Sequence, residues 1–261
     1  MTPKFVDVHS HIHLKDFDGD REKIIARMEE KETLTITVGT DLESSKEAVA
    51  TAEKFKPVFA SIGQHPIDES AHTFDKKEFE KLVCHPKTVV IGECGLDYFR
   101  LKGDSFEEKR RQKELFIQQI EFSLKYAKPL MVHCRDAYTE TLEILESYAR
   151  EGVLRGNIHF FAGTVEIAKR FLKINFTLSF TGVITFTEDY NEVIRYIPIS
   201  HILSETDSPF VSPVPFRGKR NEPMNVLYVA QKIAEIREEN EQKVLNALVS
   251  NACREFDLLA E

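Results

Sequence analysis

Short apolar, β-branched runs alternate along nearly the whole chain with stretches in which apolar side chains recur every three or four residues. That alternation is expected of strands joined by helices around a parallel sheet. The spacing predicts eight strands, at residues 5–8, 34–38, 58–62, 89–91, 130–132, 157–160, 176–180 and 202–203. Helical stripes fill the gaps: Ile24, Ile25 and Met28; Val49, Ala52 and Phe55; Phe79 and Leu82; Phe116, Ile120 and Leu124; Leu142, Leu145 and Tyr148; Ala168, Phe171 and Leu172. A weaker stripe crosses 190–197, and two more helices follow the eighth strand, at 226–236 and on Val244, Leu245, Leu248, Val249 and Ala252. Eight strands with their crossovers fit a closed (β/α)8 TIM barrel better than an open doubly wound sheet. No repeat or Gly/Ser-rich linker divides the chain, so 1–261 reads as a single domain. The Pro-rich stretch 208–223 reads as the loop after the eighth strand, and long loops in compact domains tend to carry function.

Composition narrows the classes. The 261 residues, 42% of them hydrophobic, supply a core large enough for one barrel. A net charge of -8 argues against a protein that coats nucleic acid through a broad basic surface, so an acidic substrate has to meet a local positive site. Cys84, Cys94, Cys134 and Cys253 form no Cys-x-x-Cys pair, which points to reduced thiols and a cytoplasmic protein. The N-terminus enters the first strand without a basic-then-apolar leader, and no apolar run approaches the roughly 20 residues that span a membrane. Nothing in the sequence implies an obligate protein partner.

Chemistry collects where such barrels keep it, at the carboxyl ends of the strands. The first strand runs into Asp7-Val8-His9-Ser10-His11; successive side chains alternate faces, so Asp7, His9 and His11 share one face and Val6 and Val8 the other. Strand three closes in His65, strand four in Glu93, strand five in His133 and Arg135, strand six in His159, and strand eight in Glu205 and Asp207. Five of the 9 histidines therefore fall at strand ends. His with carboxylate, and no Cys in register, suits Zn²⁺, Mn²⁺ or Mg²⁺ rather than a thiolate-rich structural site. So many potential ligands, six or more, exceed the need of one tetrahedral ion and suit two ions roughly 3.5–4 Å apart with a carboxylate between them.

The ordered set Asp7-Val8-His9-Ser10-His11, Gly63-Gln64-His65-Pro66, Gly92-Glu93-Cys94-Gly95-Leu96-Asp97-Tyr98, His133-Cys134-Arg135-Asp136-Ala137, His159-Phe160-Phe161-Ala162-Gly163, Glu205-Thr206-Asp207-Ser208-Pro209 and Arg220-Asn221-Glu222-Pro223 resembles the TatD-like metal-dependent deoxyribonucleases of the amidohydrolase superfamily. Essentially the entire chain takes part. The resemblance implies a TIM barrel with a divalent-metal site that hydrolyses nucleic-acid phosphodiesters. It places His9, His11, Glu93, His133, His159 and Asp207 on the metal ligands, with Glu93 in the bridging place that a carboxylated lysine holds in many related hydrolases. One departure is Ala162, where the family usually carries Ser or Thr.

The expected activity is hydrolysis at single-stranded or frayed DNA ends, since a narrow site with few aromatic residues, chiefly Tyr98, Phe99, Phe161 and Phe210, suits a strand end better than intact duplex. Asp207 is the expected general base, with Glu93 beside it as the second catalytic carboxylate. Arg135 and His65 are expected to pair with substrate phosphate, and Glu205 to complete that set or to orient a ligand from behind. A salt bridge for Arg135 and a turn role for His65 are the plain alternatives. Arg100, Lys102, Lys109, Arg110, Arg111, Arg217, Lys219 and Arg220 lie in loops on the same face, where they would form a positive rim. Two competing functions remain at this point: a metal hydrolase acting on a C–N or C–O bond of a small molecule, and a barrel that binds without turnover.

Overall fold

All eight expected strands form, and most run beyond their apolar centres. The computed structural model describes residues 3–68, 74–99, 101, 105–149 and 154–258. Strands β1 (Phe5–Ser10), β2 (Thr33–Val38), β3 (Val58–Ile62), β4 (Thr88–Asp97), β5 (Leu130–Arg135), β6 (Gly156–Ile158), β7 (Thr177–Phe180) and β8 (Ile202–Ser204) pair in parallel in sequence order. Helices α1 (Arg21–Glu30), α2 (Leu42–Lys54), α3 (Lys76–Val83), α4 (Phe106–Tyr126), α5 (Tyr138–Ala149), α6 (Val165–Lys173), α7 (Asn191–Tyr196) and α8 (Val226–Arg237) lie on the connections, and α9 (Glu241–Phe256) ends the chain's regular structure. No helix among the described residues is long and apolar enough to cross a membrane.

The largest departure from the expected boundaries is β4, which continues from Ile91 to Asp97. Residues 92–97 carry two glycines and two carboxylates and so lack the apolar signature of a strand. The glycines let them pair: a Cβ on Gly92 would lie 2.3 Å from the Met131 carbonyl oxygen, and one on Gly95 2.0 Å from that of His133. Both have φ in the range that other residues avoid, +146° and +137°. The register of β4 against β5 shifts between Ile91 and Cys94, at the point where Glu93 is presented. Strand β6, by contrast, ends at Ile158, leaving His159 just beyond it and Phe160 at φ 46°.

Side-chain alternation along β1 departs from the expected parity: the register against β2 shifts between Asp7 and Ser10, and these two residues of opposite parity both reach the Thr35 hydroxyl, at 3.3 and 2.8 Å. Val6 and Val8 join a cluster with Val249, Ala252 and Phe256 of α9, while Asp7 accepts bonds from the Thr206 amide at 2.8 Å and its hydroxyl at 2.6 Å. The sheet buries many polar groups: Ser10 and Thr35 hydroxyls meet at 2.8 Å, Asn157 donates to Ser179 at 2.7 Å, and Ser179 donates to Glu205 at 2.6 Å. Each of these buried hydroxyl, amide and carboxylate groups thus has a partner, which is the condition for tolerating it. Closure occurs at the functional end. Beside the bridge Ser10–Ser208, the Asp207 amide donates to the His9 carbonyl at 2.8 Å and the His11 amide to Ser208 at 2.7 Å, stitching the β8 tail to β1.

Far from that end, Glu255 of α9 is 6% exposed and its Oε1 has no hydrogen-bond partner. Burial pushes its carboxyl up from 4.5 to about 7, against the pull of Arg155 and Arg254. The folded state therefore keeps a proton that the unfolded chain releases between about pH 4.5 and about pH 7, so stability falls as pH rises through that window. Glu255→Gln, neutral throughout, is expected to match the parent near pH 5 and to exceed it near pH 8 by on the order of 1–3 kcal/mol. Thermal melts of both proteins at the two pH values check this; an equal difference at both would mean the carboxyl is solvated.

Candidate metal centre

Five imidazoles and several carboxylates converge at the carboxyl ends of the strands. His9 and His11 reach inward from β1, and the Val38 carbonyl, 2.7 Å from His11 Nδ1, turns the Nε2 of that ring toward the centre. His9 Nε2 then lies 3.3 Å from His11 Nε2, and its ring stacks on His159 with centroids 4.1 Å apart. Asp207 faces both across the β8–β1 seam, with Oδ1 3.4 Å from His11 Nε2 and 3.7 Å from His9 Nε2. It holds φ 54°, a conformation Asp tolerates better than most residues.

Glu93 is the hub. Its Oε2 lies 3.4 Å from His9 Nε2, while its Oε1 lies 2.9 Å from His133 Nδ1, 3.0 Å from His159 Nε2 and 3.3 Å from His65 Nε2. One carboxylate thus spans two sets of imidazoles, the geometry a bridging ligand needs. Burial alone would raise the Glu93 carboxyl, but the surrounding imidazoles, His159 foremost, hold it well below its ordinary value. Asp207 is likewise held low against its burial by His11 and His9. The rings divide: burial lowers His9 and His65, whereas carboxylates overcome burial at His11, His133 and, most strongly, His159.

The donor set fits a divalent cation. Two pairs of ring nitrogens face one another, His9 Nε2 with His11 Nε2 at 3.3 Å and His133 Nδ1 with His159 Nε2 at 3.2 Å. Only one hydrogen can lie between the members of each pair, whereas a cation takes lone pairs from all of them at once. Among the described residues three triplets bring their donor atoms within 4.8 Å: His9, His11 and Glu93; His9, His159 and Glu205; His65, Glu93 and His133. An array that holds protons to balance its carboxylates gives them up to a metal, so binding is favoured as pH rises.

The other expected site residues fall as follows. His65 belongs to the cluster, its ring 4.4 Å from that of His133. Glu205 is fully buried below His159, with Oε1 taking the Phe160 amide at 2.7 Å and Oε2 the Ser179 hydroxyl. It lies 3.4 Å from His159 Nδ1 and has no surface through which to meet a substrate directly. Arg135 lies at the wall of a cavity of ≈ 850 Å³ above the cluster, its guanidinium 3.6 Å over the Phe99 ring. Cys94 is fully buried, and Cys134 bonds Thr141 at 3.2 Å, its thiol pushed up by burial to about 12. At Ala162 the backbone amide donates to the Tyr138 hydroxyl at 2.9 Å.

Two expectations need correction. Asp97, absent from the expected site, takes part in it: its Oδ2 lies 3.1 Å from His133 Nε2, which orients the ring and leaves Nδ1 toward Glu93. The signal was parity, since Glu93, Gly95 and Asp97 share one strand face. The positive rim is thinner than its sequence suggests. Arg110 pairs with Glu107, Arg111 with Glu108, and Arg220 with Asp20, while Lys109 sits over the Tyr98 ring. Arg100 and Lys102 lie outside the described residues.

Comparisons with known proteins converge on one group. The family model described as "TatD related DNase" matches residues 6–257. The chain is similar to the uncharacterized metal-dependent hydrolase YabD of Bacillus subtilis, 39% identical over 96% of this chain and 98% of that protein. It is 31% identical to YcfH of Escherichia coli K12, another uncharacterized metal-dependent hydrolase, over 97% of this chain and 96% of that one. Among solved structures it resembles YjjV, a TatD homologue from Escherichia coli K12, with TM-score 0.88 and 27% identity over 98% of this chain and 99% of that one.

Proposed function

The chain belongs to the TatD family of metal-dependent hydrolases, and within that family we propose that it cleaves phosphodiester bonds at single-stranded or frayed DNA ends. The observation that carries this reading is Arg135. Among the described residues it has no carboxylate partner, and it stands at the wall of the cavity above a cation-fitting cluster. A neutral amide or ester has no use for such a group, whereas a phosphate takes its planar fork through two parallel hydrogen bonds. The cavity is of a size for a small ligand or one strand end and too small for a duplex.

His9, His11, Glu93, His133, His159 and Asp207 are the proposed ligands of two divalent ions, Mg²⁺, Mn²⁺ or Zn²⁺, with His65 and Glu205 close enough to share in the set. Bound there, such ions supply Lewis acidity to the phosphoryl oxygens and lower the pKa of a water. Asp207, ionised because its neighbours hold its carboxyl low, takes the proton of the attacking water at Oδ1. Arg135 holds a nonbridging phosphate oxygen and orients the scissile bond. Glu205 and Asp97 fix the rings of His159 and His133 from behind.

The test is a substrate panel on chelated protein to which each metal is restored singly. End-labelled single strands are expected to shorten from a terminus, circular single strands to survive, and amides and esters to be untouched. Arg135→Ala should slow oligonucleotide turnover by roughly 10–100-fold with metal content unchanged. Hydrolysis of amides or esters with oligonucleotides left intact would establish the small-molecule reading instead.

A further inference from the structure

Arginine in this acidic chain is almost everywhere engaged. Arg21, Arg27, Arg110, Arg111, Arg155, Arg170, Arg220 and Arg237 hold carboxylates, and Arg195 and Arg254 hold backbone carbonyls. Among the described residues two arginines have neither: Arg135 and Arg217. Both are parked face-down on a phenylalanine ring at 3.6 Å, Arg135 on Phe99 and Arg217 on Phe186. Stacking fixes the plane of a guanidinium and leaves its N–H edge free for an anion. Both pairs also lie on the carboxyl-end face, since Phe99 follows β4, Arg135 ends β5, Phe186 follows β7 and Arg217 follows β8.

We propose that Arg217 on Phe186 is a second phosphate contact, so that a single strand lies across the mouth of the barrel from the Arg135 side to the β8 side; this rests on the nuclease reading above. One anion would need arginines that converge, whereas these rise from connections three strands apart round the sheet, and Arg217 is not among the residues lining the cavity that Arg135 lines. An extended ligand carrying anions in series matches them. Between its phosphates it must also carry flat apolar groups, because Phe210, 53% exposed, lines the cavity on the β8 side with its ring 6.1 Å from that of His11. Nucleobases alternate with phosphates in this way, and an acidic peptide offers no base to stack. Duplex would need the broad basic surface that a net charge of -8 denies.

The experiment measures binding of cleavage-resistant phosphorothioate single strands, from dinucleotide to octamer, across a salt series to the metal-loaded protein. Arg217→Ala is expected to weaken octamer binding by about 5–10-fold and to lower the slope of log affinity against log salt by about 0.7, with the deficit shrinking as the strand shortens. Arg217→Lys should keep the slope and lose part of the affinity, since charge persists without the planar stack. Arg254→Ala, which removes the same charge beside the Ser200 carbonyl away from the mouth, should bind as the parent does. An Arg217→Ala protein that matches the parent at every length, or a loss equal at all lengths or shared by Arg254→Ala, overturns the second contact and leaves the nuclease reading standing. A parent protein that neither binds nor cleaves any strand overturns both.

Discussion

Glu93→Gln is expected to fold, to bind less than its full complement of metal, and to lose at least about 10³-fold in rate. The physical reason is that one carboxylate serves two sets of ligands: Oε2 faces His9 at 3.4 Å, and Oε1 faces His133, His159 and His65 within 3.3 Å. Glutamine keeps the shape, but its amide nitrogen is a donor where an acceptor is required and it brings no charge to a cation. Lewis-acid stabilisation by a metal is worth several kcal/mol, and about 4 kcal/mol is about a thousandfold. The barrel itself should persist, because β4 is held by its ladder to β5 and by the Glu93 amide to the Gly39 carbonyl, neither of which involves the side chain. Elemental analysis, a melting curve and single-turnover rates read the three parts separately. A variant with full metal content and parental rate would sink the bridging role.

Asp207→Asn should behave differently, remaining slow by about 10²–10⁴-fold even at saturating metal. Its Oδ1 stands 3.4 Å from His11 and 3.7 Å from His9, at the seam where the β8 tail closes on β1. Asparagine keeps the oxygen that can ligate and loses the capacity to take a proton at neutral pH. A residue that is only a ligand shows first as reduced occupancy, which excess ion repairs; a base does not. The expected result is full occupancy, an unchanged melting temperature and a depressed kcat. If added Mg²⁺, Mn²⁺ or Zn²⁺ restores the rate, Asp207 only ligates. The base would then be sought at His65, because both oxygens of Glu205 are taken by the Phe160 amide and the Ser179 hydroxyl, and both of Asp97 by the Phe99 amide and His133.

How much of this site could be read in advance depended on the range of the interaction. The convergence of His9 and His11 follows from their own spacing, whereas Asp7, of the same parity, meets the Thr35 and Thr206 hydroxyls instead, because the register of β1 against β2 shifts after it. Asp97 obeys the same parity as Glu93, yet the segment that carries it has no strand signature in the sequence. Gly92 and Gly95 remove the apolar signal there, and they are required by the closeness of β5, a neighbour some forty residues on. Three of the rim arginines, Arg110, Arg111 and Arg220, are spent on carboxylates, for the converse reason. Whether Arg220 is free depends on Asp20, two hundred residues away in sequence, and no local pattern reports that pairing.

Local physics in the sequence therefore determines the eight strands and the residues that close them, because side-chain period and turn chemistry act over a few residues. It also determines the ligand chemistry, since residue type sets hardness, charge and pKa. Tertiary structure alone decided that Glu93 stands between His9 and the His65–His133–His159 group, that Glu205 lies beneath His159 out of reach of substrate, and that Arg135 and Arg217 are left over after every other described arginine has been claimed. Those facts depend on distances between residues far apart in the chain, and only the closing of the barrel sets them.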